Sequence, residues 1–185
     1  MSMYVLQVRT GQEERLVERL RRRGVEARCP QERRMVRRGG KWQSRLYTIF
    51  PGYLFLSCED PVRIYHIVSR QSGVLRWLGM QGGSPTPLMP GEETRILCMA
   101  GDGAPLPPSE AVQMPDGQLA FVAGPLAELQ GSIQKIDRHD RRATVRIPLH
   151  GEERMIKLSF TIVTQDTAQS VGAGSPPGRM AEDRG

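Results

Sequence analysis

The sequence predicts an α+β protein, in which an α/β sandwich over the first hundred residues is followed by a small β-barrel. Three observations carry this reading. Between residues 1 and 100, apolar strand-like runs alternate with amphipathic stretches of helical period. From Gln118 to Val163, four short β-type segments follow one another closely, with turn residues between them. Between the two halves, Gly101 to Pro108 holds three Pro and two Gly, with Leu106 as its one large apolar side chain.

Taken in order, Met3 to Val8 is almost wholly apolar, as a strand covered on both faces would be. Thr10 and Glu13 have capping-box spacing, so a helix is expected to follow with Leu16, Val17 and Leu20 as its apolar stripe. Glu18 can pair with Arg22 one turn on, and Gly24 supplies the stop. Arg21, Arg22 and Arg23 suit the negative end of that helix, with nucleic-acid contact as the alternative role. Val25 to Tyr47 reads as a hairpin arm around Gly39-Gly40, carrying Arg33, Arg34, Arg37, Arg38, Lys41 and Arg45. These cations repel one another unless water or a polyanion screens them, so the arm is either a solvated hairpin or a phosphate-contacting one.

Phe50 to Leu56 reads as a central strand entered through the Pro51-Gly52 turn. Side chains alternate across it, so Tyr53 and Phe55 share one face and Leu54 and Leu56 the other. Both faces are apolar, and the second must be covered by helices or by something outside the chain. Asp60-Pro61 then starts a helix, with Ile64, Ile67 and Val68 toward the sheet and Tyr65 and His66 pointing elsewhere. Val74 to Leu78 reads as a strand, and Pro90 to Ala100 as a helix with Ile96, Leu97 and Ala100 inward. The barrel strands are expected at 118–122, 131–137, 143–149 and 155–163. Domain limits follow as 1–100, a linker at 101–112, the barrel at 113–166 and a disordered tail at 167–185.

Charge is unevenly spread. Residues 1 to 100 hold 17 Lys/Arg against 9 Asp/Glu, whereas residues 101 to 168 hold 7 against 9. A basic first half suggests a polyanionic surface nearby, most simply nucleic acid. Cys29, Cys58 and Cys98 lie far apart without metal-clasping spacing and read as reduced fillers. His66, His139 and His150 are scattered, and no nucleophile elbow, phosphate loop or paired carboxylates stand out, so the chain reads as a binding protein and not an enzyme. No cofactor and no metal are expected. No apolar run approaches a membrane span and no signal peptide is evident, so a cytoplasmic monomer without membrane contact is expected.

Two sets of residues carry a family resemblance. Met3-Tyr4-Val5-Leu6-Gln7-Val8-Arg9-Thr10-Gly11, Phe50-Pro51-Gly52-Tyr53-Leu54-Phe55 and Gly73-Val74-Leu75 resemble the N-terminal (NGN) domain of the NusG family of transcription elongation factors. Gly124-Pro125-Leu126-Ala127-Glu128-Leu129-Gln130-Gly131-Ser132-Ile133 resembles the KOW motif that opens the family's SH3-like barrel. The resemblance spans about residues 3 to 164. It implies that the N-terminal domain sits on the clamp helices of RNA polymerase through an apolar patch matched by Tyr53 and Phe55, with Gln7 alongside. The alternative is that both rings pack under the chain's own helices. It also implies a contact to the opposite polymerase lobe near Tyr65 and His66.

The family's barrel loop has an aromatic residue before a Gly where it meets a ribosomal protein or Rho. Here His150 precedes Gly151, which puts that contact in doubt. The barrel instead gathers Lys135, Arg138, His139, Arg141, Arg142 and Arg146 around one hairpin, diluted by Asp137 and Asp140. Such a cluster suits phosphates, and a nascent RNA hairpin or DNA near the transcription bubble is the expected ligand, with a solvated turn as the alternative. In this the chain resembles the specialised LoaP-type antiterminators. The competing class is a ribosome- or RNA-associated KOW protein acting in translation.

Overall fold

The computed structural model describes residues 1–164. Its first strand, β1 (Ser2–Val8), leads into helix α1 (Glu13–Arg21), a short β2 (Glu26–Arg28), the hairpin β3 (Gln31–Arg38) and β4 (Lys41–Thr48), and then β5 (Tyr53–Cys58). After these come α2 (Pro61–Ser69), β6 (Val74–Trp77), the two-residue strands β7 (Met80–Gln81) and β8 (Ser84–Pro85), and α3 (Pro90–Ala100). The remainder is β9 (Ser109–Gln113), β10 (Leu119–Ala123), the single turn α4 (Pro125–Glu128), β11 (Ile133–Asp137), β12 (Arg142–Leu149) and β13 (Glu152–Val163). The architecture is the expected α+β one: a helix-covered sheet followed by a small all-β unit.

The first sheet runs β2-β5-β1-β6, antiparallel throughout. Strand alternation divides its apolar residues into two sets. Tyr4, Leu6, Val8, Leu54 and Leu56 face α1 and α2, where Leu16, Val17, Leu20 and Val68 complete one core. Met3, Val5 and Phe55 face the other way, toward Ile96 and Met99 of α3 and the inner residues of the second unit. The second apolar face of β5, which required a cover, is therefore covered by the chain's own C-terminal half.

Several local expectations change. Thr10 and Glu13 form no capping box: the residue before α1 is Gln12, with no side-chain cap. Glu13 is buried and its Oε1 accepts the Gly52 N–H at 2.7 Å, holding the Pro51-Gly52 turn at the entrance to β5. Gly52 has φ +83, where a side chain would be strained and would crowd Thr10 and the Val8 carbonyl. Asp60 does cap α2, accepting the Arg63 N–H at 3.0 Å. In α3 the inward residues are Ile96, Met99 and Ala100, and Leu97 lies 41% exposed.

The expected linker at 101–112 is shorter than its composition suggests, since β9 already begins at Ser109. Leu106 within it is tied to β3 by backbone bonds to Gln31 and Arg33, at 2.8 and 2.7 Å. The five-stranded sheet runs β10-β9-β13-β12-β11, with β9 and β13 parallel and all other pairs antiparallel. Gly124, at φ +80, opens the turn into α4; a Cβ there would strike the Ser109 side chain, whose Oγ accepts the Leu126 N–H at 3.1 Å. The expected tail at 167–185 lies outside the described residues.

Candidate functional site

The three sequence-matched residues on the first sheet do come together. Gln7 and Tyr53 are direct cross-strand partners, and Val5 faces Phe55 two pairs along, on the same face of the sheet. They are not, however, an open patch. Phe55 is fully buried, in edge-to-face contact with Phe50 at 5.1 Å. Tyr53 is half-buried, with the Arg154 guanidinium of β13 5.3 Å from its ring centre. Gln7 accepts a hydrogen bond from Arg76 Nε at 2.7 Å. The expectation of an exposed aromatic pair is thus corrected: the apolar area is large enough that the second unit has closed over it.

Tyr65 and His66 do not join that group. Tyr65 belongs to the helix-covered face of the sheet, where its ring stacks at a tilt on Trp77, 5.8 Å centre to centre. Its expected free position is corrected accordingly, while His66 beside it is exposed.

Polar contacts fasten the two halves. Glu32 on β3 is 1% exposed, and its Oε2 accepts both the Ser159 N–H at 2.9 Å and the Ser159 hydroxyl at 2.8 Å. Its other oxygen pairs with Arg34. Arg34 also donates to the Lys157 carbonyl at 2.9 Å and lies 4.5 Å from the Tyr47 ring centre. Arg34, expected as a phosphate ligand, is therefore occupied as a strut between β3 and β13. His150, at the β12–β13 turn, rests on Gly79: a Cβ there would lie under 3.0 Å from ring atoms. Sequence reading missed Glu32, Ser159, Arg154 and Gly79. The one legible signal was Glu32, a lone acid at the head of an arginine-rich strand.

The hairpin forms as expected, with Gly39 and Gly40 both at positive φ and Arg38 opposite Lys41. Arg33, Arg37, Arg38 and Lys41 are exposed. On the second unit, Lys135, Arg138, His139 and Arg141 are exposed and Arg142 half-buried. Arg138 donates to the Gly117 carbonyl at 2.5 Å, and Arg146 pairs with Glu153 at 3.2 Å, so these two are partly engaged. The turn between β11 and β12 is held by Asp137, whose Oδ1 accepts the Asp140 N–H at 2.9 Å; that bond keeps its carboxyl below the usual range.

The structure brings together some members of the two basic sets, far apart in sequence, and leaves Arg33, Arg38, Lys41, Lys135, Arg138 and Arg146 outside the shared space. A cleft of about 480 Å³ lies between β3 and the β11–β12 turn, with Arg37 on one side and His139, Arg141 and Arg142 on the other. Among the described residues, no group of His, Cys, Asp or Glu is placed to hold a metal ion, and no helix is long and apolar enough to cross a membrane.

Comparison with known proteins follows the same lines. Residues 1–97 match the family model described as "Transcription termination factor nusG". The chain is 30% identical over 137 residues to the transcription termination/antitermination protein NusG of Thermus thermophilus, covering 70% of this chain and 74% of that protein. It is 24% identical over 169 residues to the protein of that name from Pseudomonas aeruginosa, covering 86% and 96%, and 29% identical over 139 residues to that of Bacillus subtilis, covering 71% and 75%. In fold it is similar to the solved structure "Domain interaction in Thermotoga maritima NusG", with a TM-score of 0.55 at 22% identity over 85% of this chain and 93% of that one.

Proposed function

The chain belongs to the NusG family, and we propose that it is a specialised, LoaP-type elongation and antitermination factor whose resting form keeps its own polymerase-docking face covered. Docking on the clamp helices of RNA polymerase falls to the face of β1 and β5 that carries Gln7, Tyr53 and Phe55. The observation that carries the reading is that this face is apolar on the sheet and that the second unit, together with α3, packs over it. Fully burying an aromatic or aliphatic side chain contributes about 1.5–3 kcal/mol, so several such residues form either a self-contact or a partner contact, but not both at once.

Release of the second unit exposes the face and frees Arg154 from Tyr53. The exposed arm residues Arg33, Arg37, Arg38 and Lys41 then lie beside the docking face and can meet DNA near the transcription bubble. The cations of the β11–β12 hairpin meet nascent RNA, and their grouping on one turn supports that assignment. His66 is placed to reach a second polymerase surface on the opposite side of the sheet; Tyr65, half-buried on Trp77, contributes by holding that helix. The β12–β13 turn carries His150 against Gly79 in this form, which withholds it from a ribosomal or Rho partner. A cytoplasmic location follows from this role.

Capture of the chain by purified core polymerase tests the reading. Tyr53→Ala, at a half-buried position, is expected to weaken capture about tenfold, as an interface anchor does. Glu32→Ala, which loosens the cover without touching the face, is expected to strengthen it. Undiminished capture by Tyr53→Ala would place the docking surface elsewhere.

A further inference from the structure

We propose that the cleft between β3 and the β11–β12 turn is a binding site for single-stranded nucleic acid that is complete only while the second unit is packed on the first. Filling it therefore opposes polymerase docking. The second statement rests on the docking reading above; the first stands on the cleft alone.

Neither wall makes the site by itself. The β3 wall brings Arg37 together with Met35, whose apolar side chain is 56% exposed, and the opposite wall brings His139, Arg141 and Arg142. Arg37, Arg141 and Arg142 have no ion pair among the described residues, whereas Arg34 at the cleft's inner end is neutralised by Glu32. Asp140 is the one acid in the lining, so the cleft keeps a net positive field. Cations on two walls, with the exposed Met35 thioether and Pro108 in the same lining, suit a phosphodiester strand whose base lies on the apolar surface. An acidic peptide would use the cations and leave that surface bare.

The cationic wall is pre-shaped. Arg141 sits at φ +53, and its carbonyl accepts the Phe160 N–H at 3.0 Å, while Asp137 fixes the other end of the turn. The β3 wall adds backbone donors. The Arg33 N–H leaves the outer edge of the hairpin to reach Leu106, and the alternation of an antiparallel ladder puts the Met35 and Arg37 N–H groups on that edge. A space of about 480 Å³ admits one or two nucleotides of a single strand and excludes a duplex. Because both walls are needed, strand binding favours the closed form, and by linkage anything that opens the molecule weakens strand binding by the same factor.

The test is fluorescence anisotropy of the full chain with short labelled RNA and DNA oligonucleotides, at salt from about 50 to 200 mM. Binding of either single strand supports the site, and comparison of the two identifies which strand is its source. Arg37→Ala and Arg141→Ala are each expected to lower affinity about fivefold and to reduce the salt slope by about 0.7. Arg63→Ala, an exposed cation on α2 away from the cleft, should leave both unchanged. Glu32→Ala keeps every cleft cation but should lower affinity as much as either arginine loss.

An Arg37→Ala variant that binds normally would reduce the site to the turn alone and overturn the proposal. Equal affinity for a duplex of the same sequence, or for a poly-glutamate peptide, would overturn it too. Polymerase added to the bound oligonucleotide should displace it. If the arginine and Glu32 losses appear but polymerase never binds, the site stands and the docking reading fails. If polymerase binds without displacing the strand, the opposition between the two is wrong.

Discussion

A methyl group at Gly79 would have nowhere to go. The position has φ +67, unfavourable for any side chain, and the His150 ring lies directly over it. Gly79→Ala is expected to lower the melting temperature, and combining it with His150→Ala should recover the steric part of that loss and leave the backbone part, a double-mutant cycle that separates the two. The thiols give a pH signature. Burial pushes Cys98 up to about 11, with Glu128 adding to it, and burial likewise pushes Cys29 up to about 11, reinforced by Glu13 and Glu14 against the Thr48 hydrogen bond. A folded pKa above the unfolded value means the folded chain binds more protons above about pH 9. Stability is therefore complete below that pH and falls as pH rises toward 11. Urea unfolding at stepped pH should show the decline, and Cys29→Ala with Cys98→Ala should flatten it.

Element β5 carries both cores on its two faces. Leu54 and Leu56 seal the helix-covered side, and Phe55 anchors the side toward α3 and the second unit. Phe55→Ala removes a fully buried ring packed edge-to-face on Phe50 and should cost about 3–5 kcal/mol of unfolding free energy, read from denaturant midpoints. Most elements were legible because their signals are local: Gly39-Gly40 closes the hairpin, Asp60-Pro61 starts α2, and short apolar runs mark β1 and β5. Where a signal had two uses, reading went astray. Glu13 has capping-box spacing but spends its carboxylate on Gly52, 39 residues away. Ser109 to Val112 follows a Pro-rich run and read as linker, because its partner strand β13 lies about fifty residues on. Ile96, Met99 and Ala100 share a helical face at i, i+3 and i+4, a pattern that leaves Leu97 outside.

At the scale of the whole molecule, two units share one apolar core, and a few polar contacts set its register. Glu32 is the most deeply placed of these. Removing its carboxylate strands the Ser159 N–H and hydroxyl and leaves Arg34 unpaired, at a cost of about 3–5 kcal/mol for breaking such a buried set. Hydrogen exchange should localise the damage: in Glu32→Ala the amides of α3, β5 and β13 are expected to exchange faster, while those of α1, on the far face, keep their protection. Uniform acceleration throughout would mean that the units unfold together and that no separate opening exists.

The sequence by itself determined the α+β class, most of the longer strands and helices, the family, the hairpin arm and the basic turn, since each follows from local apolar patterning, turn chemistry or a short motif. It also established that β5 has two apolar faces, without saying what covers the second. Only the tertiary structure decided that the cover is α3 with the chain's own second unit, that Arg34 is a strut, and that Arg37 faces Arg141 across one cleft. Those outcomes depend on contacts between residues from about forty to more than a hundred positions apart, for which no local pattern in the chain encodes a partner.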